Sequence, residues 1–467
     1  MTPILIAVLG YVALQLLIGM WVSRNINTET DYLLAGRGLG MSFATLSLFA
    51  TWFGAETCLG AAGAVYAEGL GGGKADPFGY TGCLLLMGLV FAAVMRRTGA
   101  VTIGDVFRER FSGWVEQLVV VMTVPASILW GAAQIRAMGQ VLATLSHFDL
   151  GVTIPFAAGV VVIYTVSGGL KADVATDFIQ GFALIAGIAL LGFAVVTHMG
   201  GPAAAWAHVH PEQLSFVTPG ERGLAGHLEP WLVPILGSVT AQEMASRVLA
   251  CKDERTAKRS SLLAGGMYLV VGLMPVMLGL LGAGLLPGLS DPEQILPRLA
   301  QLHMHPLGVV LFTGALFSAI LSTVDSNLLS ASALVSHNVV LRIWKVADDK
   351  RRVRISRACT LAAGLIAYAL AFSRDSVYRL VEESSAFGGA GMFVAMTFGL
   401  LTRFGGRWAG LAAMATGIGT QILGTYVLGW RTPLTTSLVI STAAYVAVAL
   451  AEHAPGKPRA ERPQAAG

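Results

Sequence analysis

The chain has 467 residues, of which 55% are hydrophobic and only 12% are charged, whereas soluble domains carry roughly 25% charged residues. This composition excludes a water-soluble domain and predicts an integral membrane protein. The formal net charge of +4 does not indicate a nucleic-acid partner, because the placement of charge matters more than its sum in a membrane protein.

Apolar runs of spanning length follow one another along the whole chain, and each is long enough to cross a hydrocarbon core of roughly 30 Å. The thirteen runs lie near residues 3–23, 42–66, 78–95, 117–145, 152–169, 176–198, 231–250, 262–286, 307–336, 355–373, 382–402, 408–428 and 433–452. The first is a retained helix, since a signal peptide would begin with basic residues. Cys58, Cys83, Cys251 and Cys359 show neither a metal-binding nor a disulfide spacing.

The loop charges predict the orientation of these thirteen spans. With the N-terminus outside, most of the 31 Lys and Arg residues fall in inner loops, among them Arg247 and the following KDERTAKR cluster, as the positive-inside rule requires. We therefore expect a plasma-membrane protein, in a bacterium the cytoplasmic membrane, with a cytoplasmic C-terminus. Residues 453–467 are polar and proline-rich, so we expect a disordered tail.

The run at 42–66 is too polar in its middle to be a simple anchor. It reads SFATLSLFATWFGAETCLGAAGAVY and carries Trp52, Gly54 and Glu56 near its centre. Glycines and a carboxylate at membrane depth are tolerated where a helix opens onto a cavity and its freed backbone groups bind an ion or a solute. We therefore predict an interrupted helix that forms half of a transport site.

Symmetry gives this helix a partner. The spans divide into two units of five, 42–198 and 231–402. Because five is an odd number, the two units must insert into the membrane in opposite orientations. One extra helix precedes them, at 1–24, and two follow, at 408–452. Such inverted repeats bind ligands at the first helix of each unit, where the chain is interrupted. The second unit opens with PWLVPILGSVTAQEMASRVL, where prolines and Gly237 precede a polar cluster.

The ninth run, in GALFSAILSTVDSNLLSASALVS, places Ser322, Thr323 and Asp325 inside an apolar helix. A sodium ion needs about five or six oxygen ligands; two neighbouring hydroxyls and the Ala319 carbonyl, one turn earlier, offer three from one face. Serine and threonine also bond back to their own helix carbonyls. The pattern alone leaves an ion site and ordinary packing equally open.

Three ordered motifs carry a family resemblance. DYLLAGRGLG, YTVSGGLKADVATDFIQ and AILSTVDSNLLSAS resemble the signature stretches of the sodium:solute symporter family, whose fold is the inverted repeat of the leucine transporter. Within it, TWFGAE, VTIGDVF and SRVL are most similar to the high-affinity choline transporter branch. The resemblance implies a sodium ion as the coupling ion and no organic cofactor. It implies a sodium site formed by the carbonyls of Ala50, Phe53 and Ala319 and the side chains of Ser322 and Thr323, supported by Asp177.

The same resemblance implies a substrate site built from aromatic rings. In the choline branch, tryptophans cage the quaternary amine by cation–π attraction. Trp52 and Trp130 match two positions of that cage, whereas the third position is Ala241. The cage is therefore incomplete, and choline is not the only solute to consider.

Three polar residues complete the predicted substrate contacts: Glu56, Arg136 and Gln242. Intramembrane charges are costly and functional by default; Arg136 would bind a carboxylate and Glu56 an amino group, as an amino acid requires. Alternatively, Arg136 pairs structurally with Glu56 or Glu243, or extends to the membrane surface. Six residues separate Arg136 from Trp130, which places them on different helix faces.

These patterns predict an all-α, thirteen-span sodium-coupled symporter, not an enzyme, that imports a small organic solute by alternating access. The solute would be an amino acid, a quaternary amine or a small carboxylate, and the other partner is membrane lipid. The alternatives are a transporter-like sensor and an uncoupled facilitator. The oligomeric state is not predicted. No GxxxxGK[ST] phosphate loop is present.

Overall fold

The structure is a computed structural model that describes residues 3–24, 26–146, 148–218, 221–372 and 389–453. Across these residues the chain is helical, apart from an isolated β-bridge between Leu39 and Cys251. The helices of the first half are α1 (Pro3–Ser23), α2 (Glu29–Leu34), α3 (Met41–Trp52), α4 (Ala62–Glu68), α5 (Tyr80–Leu86), α6 (Ala92–Thr98), α7 (Ile103–Arg110), α8 (Gly113–Ser146) and α9 (Leu150–His198). Those of the second half are α10 (Pro202–Ala207), α11 (Gly223–Leu232), α12 (Gln242–Ala250), α13 (Glu254–Leu285), α14 (Ile295–His303), α15 (Pro306–Ala333), α16 (Leu341–Trp344), α17 (Asp349–Leu370), α18 (Gly389–Leu401), α19 (Arg407–Ile422) and α20 (Pro433–Glu452).

Seven helical segments among the described residues are long and apolar enough to cross a membrane. The longest, Leu150–His198, has 49 residues and is kinked at Gly169, whose φ of +56° few residues other than glycine adopt. It therefore contains the two predicted runs at 152–169 and 176–198. The all-α prediction is confirmed. The count of thirteen spans stays a prediction, because the run at 382–402 lies partly outside the described residues.

One helix lies at the centre of the bundle. In the segment Pro306–Trp344, which begins with α15, 78% of the most apolar stretch is buried against other parts of the protein. The corresponding share in α20 is 28%. The long α9 and α8 pack along α15, while α19 and α20 pack on each other and on α18. The polar residues of the ninth predicted run therefore lie in the protein interior, where each must find a protein partner or a ligand.

A polar cluster ties one end of the bundle together. Asp105, at the start of α7, pairs with Arg342 at 2.6 Å and with His337 at 3.2 Å. Burial alone would raise the pKa of Asp105, but His337 and the backbone N–H groups of Val101 and Thr102 lower it to about 2. These contacts join α7 to the segment that follows α15, on the side predicted to face the cytoplasm.

The assignment of Arg247 to an inner loop is wrong. Arg247 lies within α12 and is only 1% exposed, whereas its neighbours in the basic cluster, such as Lys252, lie on the surface. The rule that places cations in inner loops cannot separate a buried arginine near a helix end from the surface cations that follow it.

Candidate functional site

The first predicted interruption is present in the structure. Helix α3 ends at Trp52 because Phe53 leaves the helical region of backbone conformation (φ −92°, ψ 71°), and the chain resumes with a π turn at Glu56. Side chains from other helices satisfy the freed backbone groups. The amide of Ala55 donates to Gln134 Oε1 at 2.9 Å, and the carbonyl of Trp52 accepts from Tyr268 at 2.9 Å.

The predicted sodium ligands converge beside this interruption. Thr323 Oγ1 lies 3.4 Å from the Ala50 carbonyl oxygen, so α15 meets α3 at the predicted ligands. Ser322, the next hydroxyl, donates to Asp177 on α9. Ala319 is one turn earlier on the same helix, and Phe53 is the first residue beyond α3. Both are buried.

Gly54 makes this convergence possible. A Cβ atom there would lie 2.6 Å from both Thr323 Oγ1 and a Glu56 carboxylate oxygen, and 3.0 Å from Gln134 Oε1. Such distances are far below van der Waals contact, so only glycine fits without displacing these groups. The predicted sodium ligand Thr323 and the predicted substrate ligand Glu56 are consequently neighbours on the same side of Gly54.

A buried charge network that the sequence analysis missed lies next to the sodium ligands. We define the Arg247 network as Ser47, Asp173, Asp177, Arg247 and Ser326. Arg247 donates to Asp173 at 2.5 Å, to Ser47 at 2.9 Å and to Ser326 at 2.5 Å. Ser47 in turn donates to Asp177 at 2.5 Å. Asp173 and Asp177 are four residues apart in α9 and therefore share one face, a spacing that could have identified Asp173 from the sequence.

The network and its surroundings contain more negative than positive groups. Asp173, Asp177 and Asp325 are all at most 1% exposed, and Arg247 is the cation that faces them. Asp325 accepts a hydrogen bond from Thr165. An ionised carboxylate without a counter-charge is expensive in a dry interior. The arrangement therefore favours an additional cation or bound protons in this region.

Four aromatic rings, the aromatic cluster, surround the other side of the interruption: Trp52, Tyr80, Trp130 and Tyr268. The ring centroids of Trp52 lie 5.0 Å from Trp130 and 5.3 Å from Tyr80, and those of Tyr80 and Tyr268 lie 6.5 Å apart. Trp52 and Trp130 are therefore brought together as predicted, and Tyr80 and Tyr268 are additional rings. The structure is closed here, since all four rings are buried.

Two carboxylates border the aromatic cluster. Glu56 accepts from Gln134 at 2.6 Å through one oxygen, while its Oε1 has no hydrogen-bond partner among the described residues. Asp76, which lies between the predicted runs 42–66 and 78–95, is fully buried and accepts from Thr57 at 2.6 Å and from Tyr268 at 3.2 Å. A buried oxygen without a partner is a free acceptor for a ligand.

Arg136 and Gln242 lie apart from these groups. Arg136 donates to the carbonyl of Ala371, just beyond the end of α17, at 3.1 Å. The Gln242 side chain accepts from the backbone amide of Ile103 at 2.8 Å and donates to Ser246 at 2.8 Å. In this conformation Gln242 therefore joins α12 to the start of α7, while no ion pair between Arg136 and Glu56 or Glu243 is formed.

The second predicted interruption is also present. Helix α11 ends at Leu232, a π turn covers Val233–Gly237, and α12 begins at Gln242 after the non-helical Ala241 (φ −68°, ψ 138°). Its side chains are small, and Thr240 bonds back to the carbonyl of Gly237 at 3.1 Å. The two interruptions thus exist as a pair but differ in their surroundings.

Comparisons with known proteins agree with this architecture. The profile of the "Sodium:solute symporter family" matches residues 32–419. The high affinity choline transporter 1 of Homo sapiens is 29% identical over 406 residues, which cover 82% of this chain and 70% of that protein. The osmoregulated proline transporter OpuE of Bacillus subtilis (strain 168) is 27% identical over 448 residues, 93% of this chain and 89% of that protein.

A solved structure shares the fold over nearly the whole chain. A Na+-coupled sialic acid symporter in a substrate-bound outward-open state superposes with a TM-score of 0.85 at 17% sequence identity, covering 97% of this chain and 98% of that one. At this identity the likeness concerns the fold.

Proposed function

Because this chain belongs to the sodium:solute symporter family, we propose that it imports a small solute bearing an ammonium group together with sodium. It is a membrane transporter and not an enzyme. The observation that carries the proposal is the convergence at the first interruption: Thr323 meets the Ala50 carbonyl, and Thr323 and Glu56 both border the position that a side chain at Gly54 would occupy. The predicted ion ligands and the predicted solute ligand therefore adjoin at one residue.

The donor set fits a sodium ion. Sodium is a small, hard cation that takes oxygen ligands, and the Ala50 carbonyl, Thr323 hydroxyl and Ser322 hydroxyl are oxygens. The carbonyls of Phe53 and Ala319 would complete the set. Asp177, which accepts from Ser322, would orient that hydroxyl and supply negative charge near the ion. The excess of buried carboxylates around Arg247 supports a cation here.

The aromatic cluster and its two carboxylates fit a positively charged group. An ammonium group over the faces of Trp52 and Trp130 gains up to about 2 kcal/mol when desolvated, and the free oxygen of Glu56 can pair with it. A carboxylate-only solute would be repelled by Glu56 and Asp76. We therefore favour a quaternary amine or an amino acid, which the names of the choline and proline relatives also suggest.

Transport follows from rocking of one helix group against another around the closed site. Sodium binding at Ala50 and Thr323 would favour the state open to the outside, and the solute would then bind at the aromatic cluster. One sodium ion that crosses a potential of about 100 mV gains roughly 2.3 kcal/mol, which corresponds to about fifty-fold accumulation of a neutral solute.

We also infer the finer topology from the same features. The two interruptions, at 53–55 and 238–241, occupy corresponding places in the units 42–198 and 231–402, which supports a five-plus-five inverted repeat. The N-terminus would lie outside and the C-terminus inside, in a plasma membrane. Labelling of single cysteines introduced at Ser23 and Ser146, on intact cells, tests this orientation: the Ser146 position should react from outside.

Uptake into proteoliposomes tests the function. We expect radiolabelled choline, betaine or proline to accumulate under an inward sodium gradient, and the same solute to equilibrate without accumulation when potassium replaces sodium. Accumulation that is indifferent to sodium would indicate a facilitator. Binding without any uptake would indicate a sensor. Preference for a monocarboxylate over all amines would overturn the assigned roles of Glu56 and the aromatic cluster.

A further inference from the structure

Arg247 connects four helices through its side chain. Its guanidinium, 1% exposed, bonds from α12 to Ser47 on α3, to Asp173 on α9 and to Ser326 on α15. We propose that this arginine is the lock that holds the inner end of the transport path closed. It is a positioning residue and contacts neither the ion nor the solute.

The helices that Arg247 joins belong to two different groups. Helix α3 ends at the first interruption and α12 begins at the second. Because the two units are predicted to insert in opposite orientations, both half-helices lie on the predicted inner side of the membrane. Helix α15 is continuous through this region, α9 is helical from just after Gly169 through Asp173 and Asp177, and the two pack along each other. Separation of the half-helices from this pair breaks the bonds of Arg247 to Asp173 and Ser326.

The geometry gives the lock a large effect because its partners are buried. Breaking a buried ion pair without replacement leaves uncompensated charges in a dry interior, which is strongly unfavourable. Water that enters from the inner side solvates Arg247 and Asp173 once they separate. The two arrangements, paired and dry or separated and hydrated, are therefore both stable, and intermediate ones are not.

The lock also touches the sodium ligands through Asp177, and this step rests on the function proposed above. Asp177 accepts from Ser322 through Oδ1, while its Oδ2 accepts from Ser47 at 2.5 Å and lies 3.5 Å from Arg247. A sodium ion held by the Ser322 hydroxyl orients that hydroxyl and, with it, Asp177. Sodium therefore stabilises the locked state, and its departure weakens the lock.

A native cysteine reports on the lock. Cys251 lies one turn after Arg247, is fully buried, and donates to the Arg247 carbonyl at 3.3 Å. Replacement of Cys58, Cys83 and Cys359 by alanine leaves Cys251 as the one thiol of the full-length chain. Its rate of reaction with a maleimide in purified protein then measures opening of this end, with no need for substrate or for transport.

We expect slow labelling of Cys251 in sodium and about tenfold faster labelling in the Arg247→Gln variant. Arg247→Lys, which keeps the charge but loses the planar fork, should give an intermediate rate. The matched control is Arg108→Gln, which breaks an ion pair with Glu116 between α7 and α8 and leaves α12 untouched. That variant should label at the rate of the parent.

The Asp173→Asn variant distinguishes loss of the Arg247 lock from a local cavity that the Arg247→Gln change itself creates beside Cys251. This change breaks the same ion pair from α9, away from Cys251, so it should raise the labelling rate by a similar factor, and the double variant with Arg247→Gln should add little. A parent-like rate in Asp173→Asn would overturn the lock. Should Arg247→Gln fail to fold, judged by size-exclusion chromatography, Asp173→Asn and Arg247→Lys decide the question.

The link between sodium binding and the lock is tested independently of the lock itself. Faster labelling in the variants, with a parental rate that is the same in sodium and potassium, would retain the lock and reject the link to the sodium ligands. A sodium-protected parent, in which Arg247→Gln and Asp173→Asn change nothing, would retain the sodium site and reject the lock.

Discussion

The two interrupted helices differ in what surrounds each break. At the first, Trp52 and Tyr268 both pack against Tyr80, and the Glu56 carboxylate has an oxygen without a hydrogen-bond partner among the described residues. At the second, Ala241 and Thr240 are small, and Thr240 bonds to its own segment. The same backbone disruption therefore offers ligand chemistry in one place and little in the other.

The half-helix that follows the second break contributes bonds to other helices. Helix α12 carries Gln242, which bonds to the start of α7, and Arg247, which bonds to three other helices. We infer a division of labour in which the first break binds ligands and the second half-helix controls opening. Symmetry of sequence pattern does not require symmetry of chemistry.

The largest effect is expected from loss of a ring at the first break. Trp52→Leu removes cation–π attraction worth about 2 kcal/mol, so the apparent KM for an ammonium solute should rise about thirtyfold. Trp52→Phe keeps a ring and should lose less. Uptake kinetics in proteoliposomes measure both, and equal KM values in parent and Trp52→Leu would move the solute away from this ring.

The ion side of the first break gives the next effect. Thr323→Ala removes one oxygen ligand and should raise the sodium concentration for half-maximal uptake about tenfold, equivalent to ~1.4 kcal/mol. Thr313→Ala, a buried threonine of the same helix, is the control and should leave this concentration unchanged. An unchanged sodium dependence in Thr323→Ala would remove that hydroxyl from the ion site.

A smaller effect is expected from making the second break resemble the first. Ala241→Trp adds the third ring of the choline-type cage, worth about 0.5–1 kcal/mol at a partly hydrated position. The apparent affinity for choline should therefore rise about two- to fivefold, with proline unaffected. An unchanged apparent affinity for both solutes, with intact sodium binding, would show that the second break does not face the solute.

The smallest effect on transport is expected from Gln242→Ala. Its amide bonds to Ile103 and Ser246 in the closed structure, so the solute KM should change less than twofold. The buried N–H of Ile103 loses its acceptor, which should destabilise the protein by about 1–3 kcal/mol in thermal unfolding. A large rise in KM at unchanged stability would instead make Gln242 the substrate contact that its position in the sequence predicts.

Much of the architecture was readable from local pattern. Apolar length and loop charge predicted a helical membrane protein, and glycine and polar residues within apolar runs predicted both interruptions. Thr323 and Ala50 are far apart in the chain, and their proximity followed from the family resemblance. The structure places Thr323 3.4 Å from the Ala50 carbonyl.

The rest depended on tertiary contacts that local pattern does not encode. Asp76 follows a glycine-rich stretch, which is typical of a loop. Its burial becomes visible only from its contacts with Tyr268 and Thr57. Arg247 stands next to a genuine surface cluster of basic residues. A buried charge of this kind is visible only when its partners, Asp173 and Ser47, arrive from other helices.

Gly54 has a consequence for how ion and solute influence each other. The Thr323 hydroxyl and the Glu56 carboxylate both border the position that a side chain at Gly54 would occupy. A shift of a few tenths of an ångström caused by a ligand of one group is therefore felt directly by the other. Cooperativity between the two ligands needs no long relay, and a methyl group at Gly54 would push the two groups apart.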